Sequence, residues 1–372
     1  MSSFRFYIGT HAKAGQDTIC LCEADFHKET FRTLETMKEI SDPTYLADSP
    51  LGTLYALGRT PEGGRVYALK EMAIMNHLPS GGSGPCHISV DQQGDFLLCA
   101  DYGSGCVSLF DLNWDGSIRS LCDFRQYTGI GFDSKDRQKC PHAHYAVFHK
   151  NEALPDSMEV LVCDLGLDMV YVYELDRTSR KLKETERSIR LPNGSGPRHL
   201  VFSDQYPGML FVLAEMANTL FTYRFDPSSK QYEFVQEISA VSDGASGVCP
   251  PDEALMRPST ADNGSIGCAI RFTKDGKYLF VSSRLGYQSI SAFRCEADGE
   301  LSLVSRCLCG GITPRDFNLF EGEDPAEGNV FLLVANQDSD LITALKFDRG
   351  TEKLSPLKMK MQAVKPTCIL PI

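Results

Sequence analysis

Apolar and polar positions along the chain fall into a recurring three-part unit, plainest from Gly194 to Asp226. A short apolar strand follows a Gly-Pro turn (Pro197 to Phe202). A longer, unbroken apolar strand, Leu210 to Ala214, meets charged Glu215. A third strand, Leu220 to Asp226, alternates apolar and polar residues and ends in Asp. Unbroken apolar runs suit strands buried on both faces, and alternation suits strands buried on one.

The long strand recurs as FYIGT, LYALG, FLLCA, VLVC, LFVLA, LFVSS and FLLVA. The first ends at Thr10; the others meet Arg59, Asp101, Asp164, Glu215, Arg284 and Asn336. Seven copies in 372 residues give a unit of about 53 residues, near the length of a four-stranded propeller blade. The short strand recurs as PTYL (43–46), GPCHISV (84–90), PHAHYAVF (141–148), GPRHLVF (196–202), GCAIRF (267–272), PRDFNLF (314–320) and KPTCIL (365–370). The last copy has no long strand after it, and the first long strand has no short strand before it. Pairing the two chain ends completes one blade and leaves no open sheet edge there. The pattern therefore predicts an all-β, seven-bladed β-propeller, a single domain over 1–372, closed by pairing N-terminal strands with the C-terminal strand.

Two insertions interrupt the spacing, Tyr127 to Cys140 and Val241 to Ser265. Each leads into a short strand, and both are expected to line the rim of a site.

Composition narrows the function. A formal net charge of −12 argues against nucleic-acid or anionic-membrane binding, since both need a basic face. A local arginine cluster can still receive an anionic substrate. The N-terminus lacks a basic stretch followed by a long apolar core, and no apolar run reaches membrane-spanning length. The 14 cysteines include no CxxC pair, and Cys99, Cys163, Cys268 and Cys368 sit in apolar strands. Reduced thiols in a cytoplasmic protein are expected, with no metal site and no cofactor. Nothing in the pattern sets the oligomeric state.

In a propeller, residues at matching places in different blades converge around one axis. The pattern offers two such columns. Along the short strands stand His87, His144, His199 and Asp316, with Tyr45, Ala269 and Cys368 in the other blades. At the ends of the long strands stand Arg59, Asp101, Asp164, Glu215, Arg284 and Asn336. Arg198 and Arg315 follow prolines at equivalent places. Asp101, Asp164 and Asn336 have a plain alternative role as turn caps.

The segments GPRHLVF…LFVLAE, PHAHYAVF, AIRFTKDGKYLFVSSRLGYQSISAF and PRDFNLF…FLLVANQDSD closely resemble the propeller-type lactonase family, which includes bacterial 6-phosphogluconolactonases and fungal muconate-lactonizing enzymes. The resemblance runs from YIGT to KPTCILP. It implies an active cluster of one His, two Arg and one Glu, matched by His144, Arg198, Arg284 and Glu215. Arg137 and Gln138 match an Arg-Gln pair ahead of the histidine motif. Where the family often has Asn-Glu this chain has Gly58-Arg59, and where Ala-Asn-Tyr is common it has Ala100-Asp101-Tyr102.

Lactone opening needs water at an ester carbonyl and a stabilised oxyanion. Glu215 is expected as general base, Arg198 or Arg284 as holder of oxyanion and phosphate, and His144 as proton donor to the leaving alkoxide. His87, Arg137, His142, His199 and Arg315 are candidate substrate-binding residues. Which of His142, His144 and His199 faces the ligand is left open, with His144 preferred because its run lines up with that of His199. The function expected is hydrolysis of 6-phosphogluconolactone, a small anionic sugar lactone, to 6-phosphogluconate in the pentose phosphate pathway. The alternatives are a lactonizing cycloisomerase acting on a muconate and a non-catalytic propeller binding scaffold. The lone tryptophan, Trp114, and the sparse loop aromatics argue against the scaffold.

Overall fold

Seven antiparallel sheets ring a central axis in the computed structural model, which describes residues 3–241, 264–322 and 328–372. The expectation placed on the second insertion falls on 242–263, outside the described residues. Numbering from the chain ends, blade 1 joins Pro366–Pro371 to Ser3–Thr10, Ile19–Asp25 and Thr30–Met37, so the C-terminal strand is its innermost. Ile8 faces Ile369 and Tyr7 faces Leu370 across that seam. Blades 2 to 7 begin at Leu46, Pro85, Ala143, Pro197, Ser265 and Pro314, and each is a meander in chain order. The predicted propeller and its closure are both present.

Burial explains the three patterns. The second strand of each blade lies between strands of its own sheet and under neighbouring sheets. Phe96–Asp101, Glu159–Asp164 and Met209–Ala214 are buried throughout, hence their unbroken apolar runs. Outermost strands such as Thr30–Met37 are half exposed and carry no strong signal. Hydrophobic clusters form at the seven seams, each shared by two neighbouring blades. Tyr145, Leu161 and Val172 of blade 4 meet Leu200, Val212 and Phe221 of blade 5, for example.

The Asp that ends so many third strands turns the chain outward. Asp25, Asp176, Asp226 and Asp348 accept amide hydrogens from residues two or three positions on. Four residues after each Asp, the backbone is left-handed, at Glu29, Arg180, Lys230 and Glu352 (φ 53°, 56°, 55° and 54°). A short side chain that satisfies its own turn specifies the direction change without glycine.

His149 closes the end of the strand Ala143–His149 remote from the axis opening. Its ring stacks on Phe202, with centroids 3.4 Å apart and planes within 1°, and burial lowers its pKa to about 4. Nε2 is enclosed with no partner. The unfolded chain takes up this proton near pH 6.5, whereas the folded one resists to about 4. Stability should therefore fall with pH in that window, by up to about 1.4 kcal/mol per pH unit from this residue. His149→Phe keeps the stack and removes the titration. It is expected to raise the denaturation midpoint and to flatten its fall between neutral and mildly acidic pH. An unchanged pH dependence would show that His149 does not carry this term.

Candidate active site

A β-bulge governs which side chains reach the axis. Where the innermost strand meets the second, the register skips one residue between Pro85 and His87, Ala143 and Tyr145, Pro197 and His199, and Pro314 and Asp316. The extra residues are Cys86, His144, Arg198 and Arg315. A bulge turns its residue out of the ladder. In these four blades that residue is turned toward the open end of the axis. His144 thus belongs with Arg198 and Arg315, and Tyr145, not His144, shares a rung with His87 and His199. The expected first column is corrected by one residue in blade 4, because Tyr145 stands four residues after Pro141, whereas His87 and His199 stand two after their prolines.

The second column also resolves into two rungs. The amides of His11, Tyr102, Leu165, Glu215 and Gln337 donate to Lys365, Gly84, His142, Gly196 and Thr313, the carbonyls just ahead of the innermost strands. Asp101, Asp164 and Asn336 stand one residue earlier and are fully buried between blades. Asp164 Oδ1 accepts the amides of His142, Gly166 and Leu167, a turn cap. Arg284 follows Ser283, which faces Gly267, and so matches Glu215.

These two rungs open on one cavity of about 360 Å³, lined by Arg59, Cys86, Tyr102, Arg137, His144, Glu215, Arg284 and Arg315, with backbone from Gly84 and Gly103. Glu215 is 1% exposed and held by three guanidiniums. Arg198 Nε donates to Oε2 at 2.7 Å; Arg137 and Arg284 donate to Oε1 at 2.7 and 3.0 Å. Burial alone would raise its pKa, but Arg284, Arg137 and Arg198 outweigh burial and hold the carboxyl well below its ordinary range. Such a carboxylate is permanently charged and a weak base.

Arg137 arrives from the first insertion, and its neighbour fixes it there. Gln138 is fully buried and donates to the Leu165 carbonyl and to Asp168, each at 2.8 Å, while accepting the Asp133 amide. Tyr102 approaches Arg137 at 3.5 Å and stacks on His142, with ring centroids 4.2 Å apart.

His144 is nearly buried. Burial first, then Arg198, drives its pKa well below 6.5, with Glu215 opposing. Its Nδ1 is enclosed without a partner, which leaves Nε2 as the nitrogen able to meet a ligand. The imidazole is neutral at physiological pH and able to accept a proton.

In the layer below the cavity the rings of Tyr45, His87, Tyr145 and His199 pack in succession with tilted planes, centroids 4.5, 3.8 and 4.6 Å apart. Arg271 pairs with Asp316 beside them at 3.0 Å. Arg198 ties this floor to the site by donating to His199 Nε2 at 2.8 Å and to the Cys268 carbonyl at 2.8 Å.

The structure therefore brings His144, Arg137, Glu215, Arg284 and Arg315 to one cavity, with Arg198 directly behind Glu215. His87 and His199 lie in the floor layer and His142 behind Tyr102; none of the three lines the cavity. Arg59, already in the second column but not assigned to substrate, and Tyr102 also line it; Tyr102 could have been found by reading one residue past Asp101. Among the described residues no group of His, Cys, Asp and Glu converges as a metal-ligand set.

The mouth of the seven-bladed propeller thus joins an arginine-clamped glutamate to a buried histidine. The chain belongs to the seven-bladed β-propeller lactonase family, whose model matches residues 5–371. It is 32% identical to 6-phosphogluconolactonase of Bacillus subtilis (strain 168) over 379 residues, covering 99% of this chain and 98% of that protein. An uncharacterized protein of Lactococcus lactis subsp. cremoris is 26% identical over 99% of both chains. Among solved structures, a protein from Lactobacillus plantarum superposes with a TM-score of 0.83 at 26% identity, covering 100% of this chain and 99% of that one. The periplasmic gluconolactonase of Pseudomonas aeruginosa shares the fold, with a TM-score of 0.82 at 22% identity over 100% and 99% of the two chains.

Proposed function

We propose that this protein hydrolyses 6-phosphogluconolactone to 6-phosphogluconate. The observation that carries the reading is the charge of the cavity. Arg59, Arg137, Arg284 and Arg315 line it and Arg198 backs it, against the single carboxylate Glu215, in a chain of net charge −12. A concentrated positive site in an acidic protein selects a small anion and draws it in. The similarity to the Bacillus subtilis enzyme supports the same substrate.

The residues suggest a division of labour that differs from the one first expected. Glu215 has both oxygens engaged, so water activation falls to neutral His144. As the water oxygen bonds to the lactone carbonyl carbon, its proton passes to His144 Nε2. Arg137 and Arg284 face the developing oxyanion. Collapse breaks the bond to the ring oxygen, which takes the proton back from His144. The hydroxy acid formed then loses its proton to solvent. Glu215 stabilises the transient imidazolium and orients three guanidiniums; Arg198 is a positioning residue. The thirteen cysteines of the described residues are free thiols, which supports placing the protein in the cytoplasm.

The test is direct. 6-Phosphogluconolactone and unphosphorylated gluconolactone are each followed with and without protein, at a pH where spontaneous opening is slow. Acceleration is expected for both, larger for the phosphorylated lactone. Decay of the phosphorylated lactone at the spontaneous rate would reject the proposal.

A further inference from the structure

The five guanidiniums of the site are not alike. Arg137, Arg198 and Arg284 are spent on Glu215. Arg59 and Arg315 form no ion pair at bonding distance and no side-chain hydrogen bond among the described residues; Asp101 and Glu215 act on them only through space. Arg59 Nε is enclosed without a partner. Burial, then the nearby Arg198 and Arg284, pushes the Arg315 pKa down to about 10, with Glu215 opposing only in part.

Their positions around the ring are also distinct. Arg59 belongs to blade 2 and Arg315 to blade 7, the two blades that flank blade 1. His11 of blade 1 senses both charges while its Nδ1 is tied to Asp42 at 2.7 Å. His144 of blade 4 and Arg137, from the loop ahead of it, approach the same cavity from across the ring. Around that cavity the histidine and the guanidiniums already organised by a carboxylate come from blades 4 to 6 and the loop ahead of blade 4, and the two unpaired forks come from blades 7 and 2.

We propose that Arg59 and Arg315 form the phosphate subsite, so that the substrate lies across the mouth with its phosphate on blades 7 and 2 and its lactone carbonyl at His144 and Arg137. This assignment rests on the reading of the substrate as a phosphorylated lactone. A phosphate dianion meets guanidinium forks with paired charge-assisted hydrogen bonds, which lysine cannot reproduce. The two roles of positive charge are thereby separated: one set serves the oxyanion, the other the phosphate.

The experiment compares wild type with Arg59→Gln, Arg315→Gln and Arg59→Lys, each checked for native circular dichroism. Inorganic phosphate is titrated calorimetrically, and kcat/KM is measured on both lactones. Wild type should bind phosphate in competition with the phosphorylated lactone. Each glutamine variant should weaken phosphate binding about 10-fold or more, and should lose about 10- to 100-fold more kcat/KM on the phosphorylated lactone than on gluconolactone. Arg59→Lys should recover part of the phosphate affinity. Phosphate binding that is absent from wild type, or unchanged in both glutamine variants, would overturn the subsite. Should wild type open neither lactone, the substrate reading fails, and the phosphate titration alone still decides whether these two arginines hold the anion.

Discussion

Glu215→Gln is expected to lower kcat/KM on 6-phosphogluconolactone by about 100-fold or more and to destabilise the fold by about 3–5 kcal/mol. Both losses have one cause. Among the described residues the carboxylate is the one ion-pair partner of Arg137, Arg198 and Arg284, and Arg198 is only 2% exposed. An amide can accept one or two of these hydrogen bonds but cannot neutralise three cations. The freed guanidiniums then repel one another, and Arg137 and Arg284 swing from the positions in which they are proposed to face the oxyanion. Thermal or denaturant unfolding and steady-state kinetics measure the two effects separately. Added phosphate should restore part of the lost stability, since an anion in the cavity replaces the missing charge. The sign with pH is fixed by the depressed pKa. This contribution is complete above the ordinary glutamate range and fades only as the pH falls well below it. Activity lost with stability unchanged would point instead to a carboxylate acting chemically and contributing little to the packing of its neighbours.

His144→Gln should remove about 100- to 10,000-fold of kcat while leaving KM for the phosphorylated lactone within a few-fold. Its stability cost should be small, because the imidazole leaves Nδ1 without a partner and makes no side-chain hydrogen bond among the described residues. The pH profile separates a base from a spectator. His144 is lowered well below 6.5, chiefly by burial and then by Arg198, so it remains neutral through pH 6.5. The kcat/KM for unphosphorylated gluconolactone, which carries no titrating phosphate, should stay level through that pH and fall only further into acid. In the glutamine variant that acid limb should vanish along with most of the rate. A glutamine variant that keeps the wild-type rate would remove His144 from the proton path.

Much of this architecture is legible in one dimension. Seven unbroken apolar runs, seven short strands of which six start at prolines, and an orphan strand at each chain end require a closed ring. Burying a sheet on both faces demands continuous hydrophobicity, and a strand without a partner demands its complement. His144, Arg198, Glu215 and Arg284 stood out through the resemblance to the lactonase family, and Arg315 because it follows a proline at the place that Arg198 does. The facing of side chains was not legible. Successive residues of a strand point to opposite sides, so a single bulged residue exchanges one set for the other. That exchange puts Tyr145 in the floor and His144 in the cavity, and buries Asp101 while Tyr102 reaches the ligand side. Nor does local sequence reveal that Arg137 spans from an inserted loop to Glu215, 78 residues away, or that Arg59 and Arg315 converge from either side of the seam. Those meetings depend on the closed circle of blades, and only the folded chain brings them about.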